Sequence, residues 1–186
     1  MWVVFHVDKR GVDKLPNDMT AIHIEQKTIH DVVIDPDHAA RAESATFRKA
    51  KERLKEDGHY HCFICDSTEA IQIHHFAAEY MFENIADLAK VKEFVETFDV
   101  YGYGKLLKNQ PLTSIEDIRC LMALCQTHHT GVDHEDSNSG TGIHSLTFPS
   151  WIIQKIAKDG ANPIPQPGET VTTAEQDVKE HEEVIS

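Results

Sequence analysis

What the chain lacks narrows its function before any motif is read. No apolar run approaches the ~20 residues needed to cross a bilayer, which argues against a membrane role. Net positive charge is missing too. The 18 Lys and Arg stand against 31 Asp and Glu, a formal charge of −13, so no global basic surface can attract DNA or anionic lipid by charge alone. Any polyanion site has to be local or metal-assisted. The opening MWVVFHVDKR is too short and too early charged for a secretory signal, and a cytoplasmic location is expected. Cysteine is scarce, at 4 in 186 residues, and in that compartment metal ligands or free thiols are expected ahead of disulfides. No internal repeat appears. What is abundant is histidine, with 13 residues, most of them between His59 and His144.

The length suits one domain of ordinary size with some peripheral structure. Residues 1–38 contain WVVFHV and AIHIEQKTIHDVVI, rich in β-branched residues, and predict a small N-terminal β region. A helix is predicted from Asp35 or Asp37 to Asp57-Gly58, with Pro36 in its first turn and glycine ending it. IQIHHF reads as a strand ending on a histidine pair. A second helix is predicted over 84–98, with Asn84 as cap and Ile85, Leu88, Val91, Val95 and Phe98 as its apolar stripe. A short helical turn is expected from Ser114, before the strand-like CLMALC. The segment 161–186 holds three prolines and an acidic end without aromatics, the composition of a disordered tail.

Cys62-Phe-Ile-Cys65 is a CxxC, and Cys125-Gln-Thr-His128 is a CxxH. Two such turns can each aim two ligands at one point, which is what tetrahedral zinc requires. Four ligands close the coordination sphere, so this zinc would be structural. Cys120 is an alternative fourth ligand. His128 is preferred because the CxxH turn brings both of its ligands round together. A redox role for Cys62 and Cys65 alone leaves the second turn and the histidines unexplained.

The order CFIC, IQIHHF and LMALCQTHH resembles the HNH endonuclease family over roughly residues 59–134. The basic helix before it and GIHSLTFPSWIIQK after it are similar to small bacteriophage members, which would place the protein in a host cytoplasm. The resemblance implies an α+β fold. Its centre would be a zinc-stabilised ββα-metal, treble-clef-like core over 39–160, interrupted by a helical insertion at about 77–113. It also implies roles. His74 would hold a catalytic divalent ion, His75 would be the general base, and His129 would ligate the same ion, with Asp133 or His134 completing the set. The family's middle Asn, which holds the loop that orients the base, is replaced here by Cys120, and cysteine cannot copy a carboxamide's donor and acceptor together.

Elementary chemistry agrees with these roles. Adjacent residues of a strand face opposite sides, so one histidine of the pair can hold a metal while the other faces substrate. A neutral imidazole can accept a proton from water near pH 7, and a divalent ion such as Mg²⁺, Mn²⁺, Ni²⁺ or Zn²⁺ can clamp a phosphate and stabilise the leaving oxygen. DNA is the expected partner. Residues 39–60 are the only net basic stretch, and Arg48, Lys49, Lys51, Arg53 and Lys55 there, with Lys105 in the insertion, are the expected phosphate contacts. The competing expectation is an inactive zinc-stabilised binding module on the same scaffold, such as a phage regulator or counter-defence protein.

Overall fold

The computed structural model describes residues 42–131, 142–143, 149–165 and 167–185. The expected β region at 1–38, the helix start at Asp35 or Asp37, and Asp133, His134 and His144 lie outside the described residues. Within them the chain is α+β. Helix α1 (Ala45–Glu56) is followed by strand β1 (Ile71–His75), helices α2 (Leu88–Thr97) and α3 (Tyr103–Leu106), strand β2 (Leu121–Cys125), and helices α4 (Gln126–His129), α5 (Ser150–Ile156) and α6 (Val171–Ile185). None of these helices is long and apolar enough to cross a membrane.

Helix α1 forms where local chemistry favours it. The Ser44 hydroxyl accepts from the Phe47 amide at 3.0 Å, and Phe47, Ala50 and Leu54 fall on one buried face. Gly58, at φ +79°, takes the left-handed turn that ends it. The hydroxyl of Ser44 also donates to Glu116, tying the helix start to the segment before β2.

The two strands pair antiparallel, from Ile71 opposite Cys125 to His75 opposite Leu121. Their alternation sorts the side chains. Ile71, Ile73 and His75 turn toward α1, while Gln72 and His74 turn toward α4. Ile73, Leu121 and Ala123 pack with Phe47, Leu54, Tyr103 and Ile118 into one core. A second core joins Val91, Phe94 and Val95 of α2 to Ile152 and Ile156 of α5, and includes Cys120.

The insertion between the strands is built from caps and a buried charge. Asp87, and not the expected Asn84, caps α2, its carboxylate accepting from the amides of Ala89 at 2.8 Å and Lys90 at 3.2 Å. The helix therefore starts later than predicted because carboxylate and amides meet only there. Phe94 replaces Phe98 in the buried stripe; Phe98 is the C-terminal cap residue and half exposed. Asp99 then accepts from the amides of Gly104 and Lys105 and opens α3. A Cβ on Gly104 would stand 2.4 Å from the Val95 carbonyl oxygen, so only glycine lets α3 lie this close to α2. Arg119, buried, pairs with Asp117 at 2.8 Å and donates to the carbonyls of Leu107, Gln110 and Pro111, which anchors the end of the insertion at the start of β2.

The expected short turn before β2 is a 3₁₀ turn at Ile118–Cys120. The expectation of a disordered tail over 161–186 is corrected by the structure. Ala161 and Pro163 are buried, and the charged segment beyond them forms α6, whose Ala174 and Val178, one turn apart, are buried as well. Composition scored the segment as too polar to fold; two small apolar residues at helical spacing are enough to dock it.

Candidate metal centre

Four side chains converge at the open end of the strand pair. The amide of Phe63 donates to the Ala123 carbonyl at 2.9 Å, seating the 62–65 turn on β2. Asp66, at φ +59°, closes that turn in the left-handed region that Asp tolerates better than most residues. Cys125 ends β2, and the single turn of α4 brings His128 round to the same point. The ligand atoms of Cys62, Cys65, Cys125 and His128 all lie within 4.8 Å of one another.

The donor set fits a tetrahedral metal. Sulfur and nitrogen ligands on one zinc, at about 2.3 and 2.0–2.1 Å, stand about 3.5–3.8 Å from each other. The His128 Nδ1 lies 3.5 Å from the Cys62 Sγ and 3.3 Å from the Cys125 Sγ, and the Cys65 and Cys125 sulfurs are 3.9 Å apart. The cluster can therefore hold a metal such as zinc. Burial raises the Cys62 thiol, but amides of Cys125, Cys65 and Ile64 outweigh it and pull the thiol down to about 6, so a thiolate is present at neutral pH. At Cys65 the Ser67 amide pulls downward, yet burial and the neighbouring Cys62 and Cys125 sulfurs raise the thiol on balance.

Cys120, the alternative ligand, is not in the cluster. It is fully buried in the α2–α5 core, where burial pushes its thiol far up, the state of a packed apolar side chain.

The other three named histidine sites separate along strand and helix. His74 is 2% exposed, and its Nε2 lies 3.5 Å from a Glu79 carboxylate oxygen. The rings of His74 and His129 meet edge to face with centroids 5.3 Å apart. The His129 Nδ1 lies 2.7 Å from the Gln72 amide oxygen. With that oxygen accepting, Nδ1 is the donor of the pair. Burial alone pushes the Glu79 carboxyl up to about 7. His75 lies on the opposite face of β1, stacked on Phe47 at 5.4 Å and 5% exposed. Among the described residues, the Cys62-Cys65-Cys125-His128 cluster is the one group of three or more such side chains whose ligand atoms meet this closely. His74, Glu79 and His129 are neighbours without that convergence.

The basic residues are spread over α1 and α3. Lys51 pairs with Glu43 at 2.7 Å and Arg53 with Asp57 at 3.2 Å, while an Arg48 nitrogen donates to the Glu43 carbonyl. Lys55 lies over the Tyr60 ring, and Lys49 and Lys105 are exposed. The Tyr101 hydroxyl accepts from the Ala123 amide, and Tyr103, buried, donates to Asp57 at 2.7 Å.

Sequence reasoning missed Gln72 as the partner of His129, although its position two residues before His74 puts it on the same strand face. It also missed an aromatic cleft of about 700 Å³ beside His74 and Glu79. The chain matches no family model, no curated protein and no solved structure.

Proposed function

We propose that the protein is a metal-dependent nuclease of the HNH type that hydrolyses phosphodiester bonds in DNA, on a zinc-stabilised ββα-metal, treble-clef-like core. The observation that carries it is the pairing of His74 with His129 outside the four-ligand cluster. Two imidazoles that share one ion at ~2.1 Å stand with their centroids about 5 Å apart, close to the 5.3 Å between these rings. Gln72 orients the His129 ring through Nδ1, and Glu79 places a carboxyl beside His74. His74 and His129 would hold a divalent ion, which when bound would supply a Lewis acid for the phosphate and leaving oxygen. The chain supplies the positioning: β1 fixes His74, and α4, started by Cys125 of the cluster, fixes His129. In this reading His75 accepts the proton of the attacking water.

A second reading, a zinc-stabilised binding module without hydrolysis, is favoured by the place of His75. Its ring is packed on Phe47 on the face away from His74, and it has to leave that stack to meet a water on the His74 side. One assay separates the two. Plasmid and single- and double-stranded oligonucleotides are incubated with Mg²⁺, Mn²⁺, Ni²⁺ or Zn²⁺ and the wild-type, His74→Ala or His129→Ala protein. Cleavage by the wild type that falls by orders of magnitude in both variants supports the nuclease; a wild type that cleaves none of these with any ion leaves the binding module.

A further inference from the structure

The lining of the cleft beside His74 includes five aromatic side chains, Phe76 and Phe94 with the half-exposed Phe63, Phe98 and Trp151. Phe98 is 51% exposed and Trp151 52%, an unusual cost for two large apolar side chains on one surface. Their rings are already arranged as a platform. Phe94 and Phe98 stack at 4.8 Å, and Trp151 lies 6.0 Å from Phe94 and 5.8 Å from Phe98. At about 700 Å³ the space is that of a site for a small planar ligand. Phe63 sits in the turn between Cys62 and Cys65, so one wall is fixed by the metal cluster itself.

Charge selects what enters. The polar lining is Asp99, Glu79 and His74; the Asp99 carboxylate disfavours an anionic phosphate, and the carboxyl oxygens offer acceptors to a neutral ring with amino or imino donors. Asp99 is held in place by the amides of Gly104 and Lys105. We propose that this cleft seats an unstacked nucleobase of single-stranded nucleic acid, the sugar-phosphate chain leaving it past His74. This inference rests on the nuclease reading for the choice of a nucleobase, because the cleft is continuous with the His74 side of the proposed site. Flat rings of any base can stack on aromatic side chains, so the seat tolerates sequence and rejects paired bases, which stay in the duplex stack.

The test uses the full chain with no added divalent ion. In a Trp2→Phe background only Trp151 emits, and it lies in the cleft. A short mixed-sequence single-stranded oligonucleotide should quench this emission saturably, at a concentration at least about tenfold lower than the matching duplex. Anisotropy of the labelled oligonucleotide should show Trp151→Ala and Phe98→Ala weakened about tenfold each, and Trp151→Phe close to wild type. Circular dichroism melts and zinc content confirm that the variants fold; if one does not, the quench titration of the intact protein decides. Wild-type affinity in both alanine variants, or quenching by a basic amphipathic peptide and not by the oligonucleotide, overturns the inference. Quenching by the single strand in a protein that cleaves nothing overturns the nuclease reading and leaves the seat in place. Cleavage without quenching does the reverse.

Discussion

His128 and His129 are adjacent in the sequence and belong to different surroundings. His128 closes a cluster with Cys62, Cys65 and Cys125, four donors within 4.8 Å; His129 turns to Gln72 and His74, where neighbouring groups do not converge in this way. One step along a helix rotates a side chain by about 100°, and the single turn of α4 is enough to serve both places. The four ligands of the closed set would fill the coordination sphere of a tetrahedral metal. The second, open set borders the aromatic cleft through His74. If the closed set serves the fold and the open set the proposed chemistry, substitution should separate them although they share a helix.

The sharpest way to break this contrast is to open the closed set. Cys62→Ser or Cys125→Ser should remove the metal and destabilise the fold by more than about 5 kcal/mol, because zinc binding of this kind is folding free energy. Thermal melts with and without chelator check it. A cooperative melt that neither chelator nor substitution alters would mean that the cluster does not hold the fold.

On the open side the effect should fall on activity and not on stability. His74→Ala and His129→Ala are expected to reduce cleavage by about 10²-fold or more while retaining zinc. His74 is nearly buried, so His74→Gln serves as the variant that keeps volume. Loss of the fold in every substitution at both positions would make these residues part of the scaffold and erase the distinction.

Glu79 sharpens the comparison through pH. Its folded-state carboxyl titrates at about 7, above the ordinary carboxylate value of 4.5, because burial disfavours its charge. The folded state therefore holds the proton more tightly. This contribution to stability is complete below about pH 4.5 and is lost as pH rises toward and through 7, on the order of 2–3 kcal/mol in all. Glu79→Gln should flatten the stability profile across that window. An unchanged slope in urea melts from pH 5 to pH 8 would show that Glu79 is solvated in solution.

Cys120 tests the boundary of the metal cluster. Cys120→Ser should keep its zinc yet lose about 1–3 kcal/mol, since a hydroxyl replaces a packed thiol in an apolar core. Loss of zinc would bring Cys120 into the ligand set. The smallest effect is expected on the basic surface. Lys49→Ala and Lys105→Ala should each reduce the salt slope of DNA binding by about one unit, with zinc content and melting unchanged; equal slopes would show both as solvated side chains.

Much of this was legible in the sequence where the signal is local. The CxxC and CxxH spacings are ligand geometry written into a turn, and they name the four residues that converge. Strand β1 and the end of α1 at Gly58 follow from alternation and from the conformational freedom of glycine. What depended on distant partners was not legible. Asn84 and Asp87 are both residues of capping type, and the cap falls at Asp87, beside the bridge between Ala86 and Ala157, where its carboxylate meets the Ala89 and Lys90 amides. Phe98 and Trp151 look like core residues in any periodicity, yet they stand half exposed because the second core is already filled by Phe94 and Ile152. That His75 would stack on Phe47, from a helix far back in the chain, has no signature near the histidine pair. The docking of α6 through Ala174 and Val178 was hidden by an acidic, proline-led composition.

We take the closed cluster and the histidine pair to be two separate centres. Native mass spectrometry of the wild type, Cys125→Ser and His129→Ala proteins, purified without added metal, tests it most directly. The account predicts one retained zinc in the wild type, one in His129→Ala and none in Cys125→Ser. Zinc lost from His129→Ala, or retained by Cys125→Ser, would contradict it.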